Sequence, residues 1–265
     1  MSSVSISTNK LTIGYRTASG GEHVVQTDLS FSLNAGEMVC MLGPNGCGKS
    51  TLLRTLAGLQ PALSGTFNLQ SSYPIGTIIS ISNLQSSKSI ALVLTERLSM
   101  DNTTVHDVVA MGRYPYTSFL GGLTDEDEAI IEEALRQVGF TGIQGYRDTD
   151  ISNTFFNAHS DGEKQRILIA KALAQQTPII LLDEPTAHLD LPHRILVLRL
   201  LRNLAHEQGK TVLISTHELD LALALSDRIL LMTPGKGVQL DTAANLKKAN
   251  AFTSAFSMDI FNPLG

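Results

Sequence analysis

The stretch GPNGCGKST at residues 43–51 has the residue types and spacing of a phosphate-binding loop. It lies between the apolar run MVCML and the helix-patterned LLRTLAGL, and in that context backbone amides and a helix N-terminus form a concave anion site. A glycine-rich turn that only joined a strand to a helix would need neither a lysine nor the hydroxyl groups that follow it. The motif therefore predicts binding of a nucleoside triphosphate.

Each residue of this loop has an expected role. Lys49 is predicted to reach the β- and γ-phosphates and to act in catalysis, Ser50 to bind Mg2+, and Thr51 to contact further phosphate oxygens. The predicted nucleotide-binding residues are Gly43, Pro44, Asn45, Gly46, Cys47, Gly48, Lys49, Ser50 and Thr51.

A second chemical feature is the acidic end of PIILLDEP at residues 178–185. Its apolar residues predict a strand that is buried on both faces. At the carboxyl end of that strand, Asp183 would hold Mg2+ through water and Glu184 would orient a water molecule towards the γ-phosphate. An ordinary strand-to-turn sequence is the alternative, and the neighbouring phosphate-binding loop argues against it.

The polar segment HSDGEKQR at residues 159–166 opens into the apolar, helix-patterned ILIAKALAQ. Ser160 and Glu163 have the spacing of a capping box, in which the two side chains satisfy backbone amides at a helix start. Such a cap contributes about 0.5–2 kcal/mol. The segment by itself leaves open whether this is its whole purpose.

Composition limits the possible functions. The 265 residues, 43% of them hydrophobic, fit one large α/β domain with an appendage, and a net charge of −5 argues against nucleic acid as a partner. The longest apolar runs are strand-sized, well short of the ~20 residues of a membrane-spanning helix. The N-terminus has no apolar signal-peptide core, so we expect a cytoplasmic protein whose two cysteines, Cys40 and Cys47, are reduced.

The order GPNGCGKST, SDGEKQR, LLDEP, AHLD (187–190) and LISTHE resembles the nucleotide-binding subunit of an ATP-binding cassette (ABC) transporter over nearly the whole chain. The resemblance implies a head-to-tail homodimer that encloses two ATP molecules. Ser160 and the amide of Gly162 would then contact the γ-phosphate held by the other subunit, in addition to capping their own helix. Asp161 and Glu163 depart from the commonest family residues and add negative charge there, as in a subset of cobalamin and iron-chelate importer ATPases.

The resemblance also implies roles for isolated residues. Tyr15 would stack on adenine, although an aromatic residue packed in the N-terminal sheet is the alternative. Asp190 would link the two sites of the dimer, or act only as a helix N-cap before a proline. His217 would contact the γ-phosphate and the attacking water. The loop glutamine of the family is missing after IALVL (90–94); either Thr95 or Glu96 could replace it, and we favour Glu96 as a ligand of Mg2+.

The predicted architecture is an α/β ABC ATPase core in a single domain, 1–265, with an N-terminal antiparallel β subdomain in residues 3–40 and an inserted helical subdomain at about 97–176. Core strands are expected near 38–42, 179–182, 211–216 and 228–232, and core helices near 49–57 and 192–207. In the helical subdomain, Thr124 and DEDE predict a helix start. The apolar residues expected to share one face of that helix are Ile130, Ile131, Ala134, Leu135 and Val138.

The segment VHDVVAMGRYPYTSFLGGLTDED (105–127) resembles that of siderophore, haem and cobalamin importer ATPases, in which it lies near the groove for a permease. A packed surface loop is the alternative. The resemblance predicts ATP hydrolysis that energises import, with two permease subunits, an extracytoplasmic substrate-binding protein and a peripheral position on the cytoplasmic face of the inner membrane. Soluble ABC ATPases remain the rival class: those of DNA repair need heptads that residues 51–160 lack, whereas cluster-assembly or ribosome-associated ATPases are harder to separate.

Overall fold

The computed structural model describes residues 4–17, 20–69, 87–94, 99–117, 122–140, 151–187 and 189–256. The strands are β1 (Val4–Arg16), β2 (Glu22–Leu29), β3 (Ser32–Asn34), β4 (Met38–Leu42), β5 (Ser64–Leu69), β6 (Ile90–Val93), β7 (Ile179–Asp183), β8 (Thr211–Ser215), β9 (Arg228–Thr233) and β10 (Gly237–Asp241). The helices are α1 (Lys49–Leu56), α2 (Val105–Ala110), α3 (Asp125–Gln137), α4 (Asp161–Ala174), α5 (Leu191–His206), α6 (Leu219–Leu225), α7 (Ala243–Lys248) and α8 (Ala251–Phe256). Short 3-10 helices span Met111–Tyr116 and Phe156–Ala158.

The N-terminal sheet is antiparallel, as predicted, with strand order β2-β1-β3 and with β5 also paired to β1. β5 lies after the phosphate-binding loop in sequence, so the sheet extends beyond the segment 3–40 in which it was expected. β1 precedes α1 in the sequence and β5 follows it, and the two strands pair with each other. Strands of this sheet therefore flank α1 on both sides in the sequence. The antiparallel sheet therefore braces the helix that follows the phosphate-binding loop.

The central sheet has the order β10-β9-β4-β8-β7-β6, parallel throughout except for the antiparallel edge strand β10. Every residue of β4, β7 and β8 is buried, which is why each reads as a continuous apolar run. One face packs on α1, where Leu52 and Leu56 lie in the same apolar cluster as Leu181. The other face packs on α5, where Val197 and Leu201 share a cluster with Ile180. The predicted core strands and helices are confirmed.

The residues described between Val105 and Ala174 are mostly helical, as predicted. Thr124 begins α3 through a capping box with Asp127, and the apolar face expected on this helix is confirmed: Ile131, Ala134, Leu135 and Val138 are buried, and Ile130 packs against them. No helix within the described residues is both long enough and apolar enough to cross a membrane.

A buried ion pair holds together the helices of the segment between Val105 and Ala174. The Arg113 Nε donates to Asp127 Oδ1 at 2.7 Å, with the two side chains only 7% and 9% exposed. The Nη1 of Arg113 also donates to the Ala174 carbonyl oxygen at 2.8 Å, at the C-terminus of α4. Arg113 therefore ties the first turn of α3 to the last turn of α4, where a cation is favourable.

We expect Arg113→Ala to lower the free energy of unfolding by about 3–5 kcal/mol, because it leaves a buried carboxylate without its partner. Urea unfolding would measure this. The matched control is Glu133→Gln, which removes the exposed pair of Glu133 with Arg136 on the same helix and should cost under about 1 kcal/mol. Equal losses in the two variants would contradict the importance of the buried pair.

The same pair predicts a pH dependence. Hydrogen bonds from the Thr124 amide, the Arg113 guanidinium and the Thr124 hydroxyl lower the pKa of Asp127 from 3.8 to about 2. Because the folded state holds the carboxylate ionised, its contribution is complete above about pH 4 and is lost as the pH falls towards about 2. The stability difference between wild type and Asp127→Asn should therefore shrink over that interval, and a difference that stays constant would refute the assignment.

Candidate functional site

The phosphate-binding loop follows β4 and turns into α1 at Lys49, as predicted. Gly48 precedes the helix with a φ of 103°, and a Cβ there would lie 2.7 Å from Val25 Cγ1. A Cβ at Gly43 would lie 2.6 Å from the Met232 carbonyl oxygen, whereas one at Gly46 would meet nothing within 4 Å. The loop is thus packed tightly at both ends and open at its tip, which is the shape of a backbone cradle for an anion.

Lys49 lies inside this cradle. Its side chain is buried, and its Nζ donates to the carbonyl oxygens of Gly43 at 2.8 Å and Pro44 at 3.2 Å. Ser50 is half-buried beside it and Thr51 is buried in the first turn of α1. A buried ammonium, loop amides and adjacent hydroxyls form a donor set that suits the phosphates of a nucleotide and, at Ser50, a magnesium ion.

Gln26, in β2, supports the phosphate-binding loop and was not among the site residues predicted from the sequence. Its buried amide Nε2 donates to the carbonyl oxygens of Cys47 at 3.2 Å and Thr233 at 3.0 Å. The glutamine thereby joins the loop to the end of β9. The sequence EHVVQTDL gives no signal for this contact, because one partner, Thr233, lies 207 residues away.

The acidic end of β7 lies beside the end of β8, since Asp183 pairs with Ser215 in the parallel register. Ser215 Oγ donates to Asp183 Oδ1 at 2.5 Å and accepts from the Glu184 amide at 3.0 Å. Glu184 has a φ of 47°, which is unusual for a residue with a side chain. Its carboxylate contacts His217 Nε2. Ser215 thus orients both acidic residues. The sequence did not predict this role, because Ser215 is only a serine at the end of an apolar strand.

The pair of Glu184 and His217 sits where solvent can reach it. The His217 side chain is 46% exposed and that of Glu184 is 31% exposed. The structure therefore brings together the predicted residues Asp183, Glu184 and His217 at one edge of the central sheet. A partly exposed carboxylate in contact with an imidazole can orient a water molecule and accept a proton from it.

Tyr15 lies at the end of β1 and contacts the first turn of α1. Its hydroxyl is 2.7 Å from Thr51 Oγ1, and the residue is 42% exposed. The hydroxyl therefore holds Tyr15 beside the first turn of α1 while the side chain stays partly exposed, which argues against an aromatic residue buried in the sheet.

The other predicted residues lie on separate elements. Ser160 is the N-cap of α4 and forms the expected capping box with Glu163; its hydroxyl donates to Glu163 Oε2 at 2.7 Å. Burial would raise the pKa of Glu163, but hydrogen bonds from the Ser160 hydroxyl and amide outweigh it and the net pKa is lowered. Gly162 lies in the first turn of this helix. Neither Ser160 nor Glu163 has a hydrogen bond to the phosphate-binding loop in the part of the chain that the structure describes.

Asp190 is the N-cap of α5, which confirms the predicted alternative that it caps a helix before a proline. Its Oδ1 accepts from the His193 amide at 3.3 Å and also contacts the His193 ring, and this contact lowers the pKa of Asp190. The Asp190 side chain is 64% exposed, so it is accessible to a second contact. Thr95 and Glu96 lie outside the described residues.

The fold and the site together define a nucleotide-binding ATPase with a phosphate-binding loop and a neighbouring acidic strand. A family model described as ABC transporter matches residues 26–187. The iron(3+)-hydroxamate import ATP-binding protein FhuC of Bacillus subtilis is 36% identical over 255 residues, which cover 96% of this chain and 88% of that protein. An uncharacterised ABC transporter ATP-binding protein of Methanocaldococcus jannaschii is 36% identical over 253 residues, 96% of this chain and 81% of that protein.

Among solved structures, an ABC transporter described as of metal-chelate type, in an inward-facing conformation, matches with a TM-score of 0.77 at 29% identity. The match covers 97% of this chain and 90% of that chain. The chain belongs to the ABC transporter family, as its ATP-binding and ATP-hydrolysing component. The predicted family, fold class and ATPase activity are thereby confirmed.

The position of Tyr15 gives a test of its role. We expect Tyr15→Ala to raise the Kd for MgADP about fivefold, since aromatic stacking contributes about 0.5–1.5 kcal/mol. Tyr15→Phe keeps the ring and loses only the contact with Thr51, so it should change the Kd less than about twofold. Calorimetric titration would measure both, with Tyr114→Ala, which removes a 60% exposed ring on the helical segment, as the control. Equal effects of Tyr15→Ala and Tyr15→Phe would favour the hydroxyl over the ring.

Proposed function

We propose that this chain hydrolyses MgATP to energise the import of a metal chelate, specifically an iron-siderophore complex. The observation that carries the proposal is the similarity over nearly the whole chain to an iron-hydroxamate import protein and to a transporter of metal-chelate type. The ATPase does not need to contact the cargo itself, so the cargo class follows from these relatives and the chemistry from the site.

The site residues have defined tasks in this proposal. The amides of residues 43–51 and the Lys49 ammonium bind the phosphates, and Tyr15 supports the adenine. Mg2+ would supply positive charge next to the phosphate oxygens, held by Ser50 and, through water, by Asp183. We assign Glu96 as a further ligand of Mg2+ because it follows β6 in the sequence. The donor types of Ser50 and Asp183 fit this hard cation.

Glu184 accepts the proton of the attacking water in this mechanism. The Ser215 Oγ accepts from the Glu184 amide and donates to Asp183. These hydrogen bonds fix the backbone of Glu184, and with it the direction of the Glu184 side chain at the end of β7. His217 holds that carboxylate from the other side. An orienting base of this kind typically contributes about 10²–10⁴ in rate.

The proposed active form is a homodimer that encloses two ATP molecules, with Ser160 and Gly162 of one subunit facing the phosphates held by the other and with Asp190 linking the two sites. The exposed Asp190 side chain and the position of Ser160 and Gly162 at the start of α4 support this arrangement. Because the Ser160 hydroxyl donates to Glu163, it must turn away from that carboxylate before it can donate to a phosphate. The variant residue Glu163 therefore competes with the contact.

We assign the surface around Tyr114 and Tyr116 to permease docking. These side chains are 60% and 39% exposed, yet the Tyr116 hydroxyl donates to the Gln175 carbonyl oxygen at 2.8 Å. Gln175 Nε2 in turn donates to the Ile90 carbonyl oxygen at 3.1 Å, at the start of β6. An exposed aromatic surface that is bonded to the central sheet suits the transfer of force to a membrane subunit.

The complete assembly in this proposal has two copies of the chain, two permeases and an extracytoplasmic substrate-binding protein. The chain then lies peripherally on the cytoplasmic face of the membrane. Each copy is one domain, 1–265, with the helical subdomain at about 97–176 inserted in it.

The role of Glu184 predicts the behaviour of Glu184→Gln. This variant should bind ATP with a Kd within about twofold of wild type but hydrolyse it at least about a hundredfold more slowly, since the amide cannot accept the proton. ATP should then trap a dimer in size-exclusion chromatography, and MgADP should not. Hydrolysis at the wild-type rate, or a variant that stays monomeric in ATP, would contradict the assignment.

The import proposal is tested on the native assembly. We expect the tagged chain, solubilised with detergent from cell membranes, to copurify with a polytopic permease. After reconstitution with an extracytoplasmic binding protein, the complex should take up 55Fe-labelled ferric hydroxamate in an ATP-dependent manner, and the Lys49→Ala complex should not. Uptake of cobalamin or haem instead would overturn the cargo class. Purification without any membrane protein would favour a soluble ABC ATPase.

A further inference from the structure

We propose that Arg194 is a positioning residue that couples the segment ending in Asp190 to the catalytic pair of Glu184 and His217. The inference rests on the proposed function, in which Asp190 lies at the contact between subunits. It concerns a side chain in the first turn of α5 that the sequence motifs of the site do not include.

Arg194 makes two contacts with different parts of the site. Its Nε donates to the Leu189 carbonyl oxygen at 2.6 Å, immediately before Asp190. Its Nη1 lies 3.2 Å from Glu218 Oε1, immediately after His217. A planar guanidinium fixes the direction of both contacts at once, which a lysine ammonium cannot do to the same degree. The two loops are therefore held at a set separation by a single side chain.

Glu218 depends on this contact for its own position. Its amide donates to Thr216 Oγ1 at 3.0 Å and it precedes α6, so its backbone is anchored. Its Oε1 pairs with Arg194, whereas its Oε2 is buried and has no hydrogen-bond partner among the described residues. An unpaired buried carboxylate oxygen is unfavourable, so stability alone does not account for the pair.

The backbone completes a path from the catalytic base to Leu189. The Ala187 amide donates to the Glu184 carbonyl oxygen at 3.0 Å, and the Leu189 amide donates to that of Thr186 at 3.2 Å. Glu184 itself has a positive φ, which persists only where the surroundings hold it. Two backbone hydrogen bonds thus link described residues between the base and Leu189.

The side chains close this path into a ring. Arg194 runs from Leu189 to Glu218, whose neighbour His217 contacts the carboxylate of Glu184. A displacement of His217 or Glu184 on nucleotide binding would therefore move the Leu189 carbonyl group and the adjoining Asp190. Conversely, a partner subunit that holds Asp190 would restrain the catalytic pair. The orientation of the Glu184 base and the contact between subunits at Asp190 therefore depend on the same set of contacts.

The test compares Arg194→Ala and Glu218→Ala with the control Arg199→Ala, which removes an exposed arginine from the same helix. We expect each of the first two to lower kcat for ATP hydrolysis about tenfold with KM within about twofold of wild type. In the Glu184→Gln background, each should also weaken ATP-driven dimerisation about tenfold. Arg199→Ala should match wild type in both measurements.

Two further variants separate positioning from folding. Arg194→Lys keeps the charge towards Glu218 but cannot keep both contacts, so its kcat should lie between those of wild type and Arg194→Ala. The double variant Arg194→Ala with Glu218→Ala should be no slower than either single variant, because both remove the same connection. Thermal unfolding confirms that the proteins compared are folded.

The outcomes distinguish this inference from the function on which it rests. Wild-type kcat and dimerisation in Arg194→Ala would overturn the positioning role, as would additive losses in the double variant. If the Glu184→Gln parent itself failed to dimerise in ATP, the dimeric function would be wrong and the inference would fall with it.

Discussion

The parallel hydrogen bonding of β4, β8 and β7 is the constraint on which the rest of the structure depends. It places the ends of these strands at one edge, where Met41 pairs with Ser215 and Ser215 pairs with Asp183. The phosphate-binding loop and the acidic turn therefore start from adjacent points although they are far apart in sequence. A shift in the register of these strands would move Asp183 away from Ser215 and separate the acidic turn from the phosphate-binding loop.

Several strained or costly features collect at this edge. Glu184 has a left-handed backbone, and Gly43 and Gly48 of the phosphate-binding loop approach neighbouring atoms more closely than a Cβ allows. The apolar clusters on both faces of the central sheet stabilise the fold that holds these features in place. Within the site, Lys49 and Asp183 are buried, whereas Glu184 and His217 are partly exposed to solvent.

The features that the sequence could predict are local ones. The loop at residues 43–51, the capping box at Ser160, the helix start at Thr124 and the buried strands each depend on neighbouring residues, and each is found where expected. Ser215, Gln26 and the pair of Arg194 with Glu218 act through contacts between distant segments. Nothing in the residue types around these positions indicates the partner, so the fold was needed to find them. The replacement for the family glutamine remains a prediction.

The thiol of Cys47 gives the phosphate-binding loop a chemical property of its own. Burial raises the pKa of this thiol despite the nearby charge of Lys49, and the residue is only 3% exposed. The thiolate is the form that reacts with peroxides and alkylating agents, and here it is both scarce at neutral pH and shielded. Cys47 therefore behaves as a small apolar side chain, and the loop should keep its function through oxidative stress that inactivates proteins with accessible thiolates.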